Sequence, residues 1–114
     1  MDIEYADDDL REAVNCEKEL LRLFDKQVAK KIKMRIAVLD SAPCLADVPH
    51  TPPEMRHQLK GKRKGQFAVD TTRKSGVRII FLPNHEPVPL KEDGGIDLTK
   101  VTKIVIVEIC DYHD

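Results

Sequence analysis

Two segments of this chain carry side chains suited to proton transfer on a phosphodiester. One is "RHQLKGKRKG", which sets His57 just before a turn rich in cations, Lys60, Lys62, Arg63 and Lys64. The other is "CDYHD" at positions 110–114, which offers Asp111, Tyr112 and His113 directly after the apolar run "KIVIVEI". Two imidazoles beside cationic groups have what RNA cleavage requires. One removes the proton from a ribose 2′-OH, which attacks the adjacent phosphorus, and the other protonates the departing 5′ oxygen. Imidazole suits both tasks because its unperturbed pKa lies near neutrality. Lysine or arginine, including Arg78 further along, stabilises the added negative charge on the five-coordinate phosphorus. Asp111 can orient an imidazole. Tyr112 can stack on a base or donate to a phosphate.

Blander readings use the same residues. A charge run is often a solvated turn, and a histidine near a chain end is often a surface residue. Cys44, His50, His57, Cys110 and His113 supply zinc-ligand types, but their spacing matches no zinc motif. There is no Cys-x-x-Cys pair, no phosphate-cradling glycine loop and no Gly-x-Ser-x-Gly. No metal and no cofactor is expected.

Composition frames these candidates. The chain has 114 residues, with 41% hydrophobic and 34% charged, which predicts one folded domain, residues 1–114, with a single modest core. The three cysteines are widely spaced and odd in number, so reduced thiols and a cytoplasmic location are expected. The opening "MDIEYADDDL" is acidic and lacks the layout of a signal peptide, and no window has the apolar length of a membrane span. The net charge of −1 hides an asymmetry. Residues 1–25 carry −6, residues 26–78 carry +9, and residues 79–114 carry −4. The basic middle is where phosphates would be drawn.

The elements that must position the candidates follow from periodicity. "DIEYA" alternates weakly and predicts a short first strand. "ADDD" offers helix-capping acids, with Leu10 and Val14 one turn apart behind it. From Leu21 the apolar positions Phe24, Val28, Ile32, Ile36 and Leu39 follow at helical spacing and predict one long amphipathic helix, with Lys26, Lys30, Lys31, Lys33 and Arg35 mostly off its stripe. "SAPC" ends that helix. Pro49, Pro52 and Pro53 make the next stretch a connector. Then "QFAVD", "GVRIIFL" and "VTKIVIVEI" predict three strands, with a Pro- and Gly-rich loop before the last. In that last strand, strict alternation puts Val105, Val107 and Ile109 on one face and Ile104, Ile106 and Glu108 on the other. The expected architecture is α+β, two N-terminal helices packed on a small, mainly antiparallel sheet.

The motifs "HQLKGKRKGQFAVD", "VRIIF" and "ICDYHD" resemble the HigB-type toxins of the RelE/ParE toxin–antitoxin superfamily. In that family a His precedes Leu-Lys-Gly, an Arg sits in the following strand, and the chain closes on a Tyr-His pair, often Asp-Tyr-His. "ADDDLREAV" and "VAKKIKMRIAVL" fit the family's helical pair, and "LKEDGGIDLTKV" resembles a subgroup with a longer loop before the last strand. The resemblance implies a RelE/ParE-like fold and a cytoplasmic, ribosome-dependent endoribonuclease, an mRNA interferase that cuts mRNA in the decoding site. It implies a cognate helix-turn-helix antitoxin as partner, with the ribosome and mRNA. The family's catalytic residues fall on His57, Asp111, Tyr112 and His113, and its strand arginine falls on Arg78. Where many relatives have Asn-Trp before that arginine, this chain has Gly76-Val77, so no codon preference carries over. Two rival functions are a ParE-like gyrase poison, whose members generally lack the His and Tyr-His set, and a non-catalytic module that uses the basic block only to bind RNA or protein.

Overall fold

The computed structural model describes residues 1–112; the expected position of His113 lies outside the described residues. The chain folds as α+β. A short strand, β1 (Asp2–Tyr5), leads into three helices, α1 (Asp8–Asn15), α2 (Glu17–Leu23) and α3 (Lys26–Ser41). Then come β2 (His57–Gln58), β3 (Phe67–Asp70), β4 (Val77–Pro83) and β5 (Lys103–Asp111).

Acids cap the starts of α1 and α3. The Asp7 carboxylate accepts from the Leu10 amide at 2.8 Å, and Asp25 accepts from Val28 at 2.9 Å. The Asp25 cap explains a difference from the expected single long helix. A capping residue is extended rather than helical, so the chain breaks at Phe24–Asp25 and restarts as α3. The helical layer therefore has three segments instead of two. Leu20 replaces Leu21 as the buried residue of α2, and Leu21 is 47% exposed. On α3 the buried stripe is Val28, Ile32, Arg35 and Leu39.

Arg35 thus occupies a core position, although it was expected off the stripe. It is only 3% exposed. Its Nε donates to the Asp70 carbonyl at 2.8 Å and its Nη2 to the Thr71 carbonyl at 3.1 Å. These bonds tie α3 to the end of β3.

The sheet order is β1-β5-β4-β3-β2. The four later strands pair antiparallel as expected from their short links, and β1 adds parallel to β5. A parallel pair needs a long crossover, and the intervening chain with its helices supplies it. β5 is paired on both sides, which fits its nearly continuous apolar sequence.

One face of the sheet packs against the helices. Phe67, Val69, Ile79, Phe81, Ile104 and Ile106 meet Leu20, Val28, Ile32 and Leu39 there. Among the described residues the other face carries a small buried patch, Leu59, Ala68 and Ile80, with Val107, Cys110 and Tyr112 packed against it. Strict alternation fails in β5. Ile80 faces Glu108 while the next residue, Phe81, faces Ile106, so Val107 is the extra residue of a bulge. Beyond the bulge the parity reverses. Ile109 joins Ile104 and Ile106 on the helix side, whereas Val107, Cys110 and Tyr112 lie on the open side.

Removing the Arg35 guanidinium leaves a buried carbonyl, that of Thr71, and a part-buried one, that of Asp70, without their donor. Arg35→Met should cost about 1.5–3 kcal/mol, the range for a hydrogen bond to a charged group. Urea unfolding should show a lower midpoint at an unchanged slope; an unchanged midpoint would mean that the two bonds contribute nothing.

Candidate active site on the open sheet face

His57 is positioned by the connector and by β3. In β2 it stands opposite Ala68, whose side chain lies in the open-face patch. The connector that delivers it is held by its own backbone. Met55 N–H donates to Thr51, Arg56 N–H to Pro49, and the Asp70 amide to the Glu54 carbonyl at 2.8 Å. The Arg56 side chain adds a bond from Nε to the Val48 carbonyl at 2.8 Å. Met55 adopts φ 51°, the left-handed region that a residue with a long side chain rarely enters. Strain of this kind persists only where the surroundings enforce it.

The Met55 carbonyl lies 2.8 Å from His57 Nδ1. A carbonyl oxygen only accepts, so Nδ1 carries the hydrogen of the neutral ring. The basic nitrogen is then Nε2, which makes it the atom through which His57 can exchange a proton.

The same face brings further groups into register. Arg78 stands opposite both Asp70 and Cys110 on the neighbouring strands. Its Nε donates to Asp70 Oδ1 at 3.0 Å, with both side chains mostly buried. Tyr112 follows the end of β5 and donates its backbone N–H to Gly76 at 3.4 Å. The guanidinium of Arg63 lies over the Tyr112 ring, 5.0 Å from its centre. Arg63 also pairs with Glu108 at the bulge and donates to Gln66 Oε1 at 3.0 Å. It is reached from a 3-10 turn, Gly61–Arg63, that carries the basic block into β3.

The expected substrate-binding cations therefore divide. Lys60, Lys62 and Lys64 are exposed on the turn, open to solvent and to any polyanion. Arg63 and Arg78 are held by carboxylates of the fold. Asp111 is exposed, stands opposite Val77 and alternates with Cys110 and Tyr112, which places it towards the helix side of the strand end. His57, Arg63, Arg78 and Tyr112 share one sheet face.

Glu108, Asp70 and Arg35 were not among the expected site residues. Arg35 had a legible signal, a cation in register with Val28, Ile32 and Leu39. Glu108 had none, because its side is set by the bulge.

Cys110 is no nucleophile at neutral pH. Burial, with Glu108 beside it, pushes its thiol up to about 11. Among the described residues no three His, Cys, Asp or Glu side chains gather to hold a metal ion.

The Arg63–Glu108 pair is partly exposed, so it contributes about 0–1 kcal/mol, and the Arg63–Tyr112 contact adds about 0.5–1 kcal/mol. Their effect is on position more than on stability. Arg63→Ala should lower Tm by only a few degrees, roughly 2–8 °C, yet shift the Tyr112 ring resonances clearly in NMR spectra. Unmoved Tyr112 resonances would contradict this.

No protein-family profile and no curated protein sequence matches the chain. A solved structure does: a YoeB/ParE toxin from Agrobacterium tumefaciens, at 12% identity and a TM-score of 0.55, with 99% of this chain and 100% of that one covered. Nearly the whole of both chains superposes, so the three helices and five-stranded mixed sheet form the α+β fold of RelE/ParE-like toxins.

Proposed function

We propose that this protein is the toxin of a toxin–antitoxin pair and that it cleaves mRNA on the ribosome by histidine acid/base chemistry. The observation that carries the reading is His57. Its ring is oriented through Nδ1 by a strained carbonyl, on the sheet face that also bears Arg78 and Tyr112. The toxin fold supports the reading at a coarser level, since it serves RNA-cleaving and other toxins alike.

The reaction balances without a cofactor. An imidazole takes the 2′-OH proton while O2′ forms its bond to phosphorus. The bond from phosphorus to the 5′ oxygen breaks, and a second acid supplies the proton to that leaving oxygen. The products are a 2′,3′-cyclic phosphate and a 5′-hydroxyl. His57 fills one of the two proton-transfer roles and His113 the other. Arg78, held by Asp70 so that its charge is fixed in place, offsets the charge on the phosphorus oxygens. Tyr112 stacks on a base beside the scissile bond. Asp111 has the role of orienting an imidazole.

Lys60, Lys62 and Lys64 serve binding. Exposed lysines on one turn meet phosphates of mRNA or of ribosomal RNA and release their counterions. The partner that silences the protein is a helix-turn-helix antitoxin. It has the helical side to cover, where Leu21 and Met34 stand exposed beside Lys26, Lys30 and Lys33 in a groove of about 410 Å³ between α2 and α3.

Purified protein added to translating ribosomes should cut the mRNA, and His57→Ala should slow cutting by about 10²–10⁴-fold, the usual contribution of a general acid or base. A folded His57→Ala protein with full activity would remove the residue from the mechanism. Absence of cleavage by the parent protein, with loss of DNA supercoiling by gyrase instead, would establish the ParE-like alternative.

Reversing Lys60, Lys62 and Lys64 to Glu should weaken ribosome binding and flatten its salt dependence by roughly 0.7 in log–log slope per lost phosphate contact. Binding that ignores both salt and the reversal would return the turn to a merely solvated role.

A further inference from the structure

Lys60, Lys62 and Lys64 of the basic turn reach into solvent, but Arg63 among them is turned onto the open sheet face. Its guanidinium meets the Glu108 carboxylate, Gln66 Oε1 at 3.0 Å and the Tyr112 ring, whose centre is 5.0 Å away. The ring that the cleavage reading offers to a base is thus already covered by a cation.

We propose that Glu108 and Arg63 form a latch over Tyr112, closed in the free protein and opened when an RNA phosphate takes the place of the Glu108 carboxylate on Arg63. The proposal rests on the RNA-cleavage reading, which gives Tyr112 its base. It makes Glu108 a positioning residue that acts through Arg63. It makes Arg63 a phosphate ligand that becomes available on contact with RNA.

Three observations carry it. The first is competition for space. A base stacks on the face of an aromatic ring, and Arg63 lies over the Tyr112 ring. Arg63 must move before a base can stack where it sits.

The second is the exposure of the ion pair. Two arginines of this face are held by carboxylates, and the pairs differ. The side chains of Arg78 and Asp70 are 20% and 23% exposed, whereas those of Arg63 and Glu108 are 26% and 45% exposed. An ion pair gains less the more water reaches it. Glu108 is therefore the carboxylate that a phosphate can displace, while Arg78 stays fixed for its role at phosphorus. Arginine takes phosphate as well as carboxylate through parallel N–H···O bonds, so the exchange keeps the hydrogen bonds of the guanidinium.

The third is placement. Strict alternation would set Glu108 beside Ile104 and Ile106, but the Val107 bulge brings it to the open face, opposite Ile80. Its carboxylate stands against the basic turn, as a phosphate would. The turn backbone is fixed independently: Leu59 N–H donates to the Gln66 carbonyl and Gln66 N–H to the Arg63 carbonyl, each at 2.9 Å. Opening needs the rotation of a side chain and leaves the turn intact.

The test uses the full chain and a short 2′-O-methyl RNA oligonucleotide. This probe carries phosphates and bases but no 2′-OH to attack, so binding is read apart from cleavage. In the parent protein, an NMR titration should move the Arg63 Nε–H and Tyr112 ring resonances together along one binding curve. Glu108→Gln keeps the size of the side chain and removes its charge. It should bind the oligonucleotide about 2–5-fold more tightly, the range for releasing one exposed ion pair. Glu92→Gln, at an exposed acid of the loop before β5, makes the same change in net charge and should leave the affinity nearly unaltered. A pair that serves only stability predicts a lower Tm for Glu108→Gln with RNA binding unchanged or weaker. That result, an equal gain from Glu92→Gln, or no binding by parent and variant alike would overturn the latch. So would binding to the parent that leaves Arg63 and Tyr112 unmoved, a measurement that decides the matter even if Glu108→Gln fails to fold. Coupled movement of Arg63 and Tyr112 in a protein that cuts no mRNA on ribosomes would overturn the catalytic reading and leave the latch. Cleavage by a protein whose Arg63 and Tyr112 stay still when RNA binds would do the opposite.

Discussion

The arrangement depends on one extra residue. Val107 has no partner of its own in β4, and the bulge it creates turns the last part of β5 over. Before it, Ile104 and Ile106 fill the core under the helices. After it, Ile109 continues that core, which strict alternation would have assigned to the opposite side. The consequence for the other face is direct. Glu108 stands beside Arg63, and Cys110 and Tyr112 reach the patch of Leu59, Ala68 and Ile80. Bulges commonly re-aim side chains in this way next to functional sites. Here the bulge puts Cys110 and Tyr112 on the same face as His57.

Stability and placement are divided between different interactions. The core on the helix side is broad and apolar, and supplies most of the folding free energy. On the open face the polar contacts are partly exposed and individually small. They act by restricting geometry: Asp70 fixes Arg78, Glu108 fixes Arg63, Arg63 covers Tyr112, and Met55 fixes the His57 ring. Arg35 links the two systems. It is a buried cation from the helical layer whose acceptors are the carbonyls at the end of β3, beside the candidate site.

Much of this was legible in the sequence. Alternation and turn residues announced three of the four strands of the second half, β2 falling in the stretch that reads as a connector, and helical spacing with a closing proline announced the end of α3. The α+β class followed from their order. His57, Arg78 and Tyr112 were recognisable from residue type and spacing, and they do share a face. What was not legible has physical causes. Asp25 reads equally well as a residue inside a long helix or as a cap, and only tertiary packing chooses the cap. The Val107 bulge is invisible because "KIVIVEI" alternates or runs apolar in any register. Arg35 groups with the lysines that lie mostly off the stripe, although its position, three residues from Ile32 and four from Leu39, marks it.

The claim on which the account turns is that the bulge turns Tyr112 to the open face and Ile109 to the helix face. Nuclear Overhauser contacts in the unmodified protein test it directly. The account predicts contacts from the Tyr112 ring to the methyl groups of Leu59 and Ile80, and from the Ile109 methyls to the core beneath α3. Tyr112 in contact with Phe81, with Ile109 against Leu59, would show a strand without the reversal and would contradict the site built here.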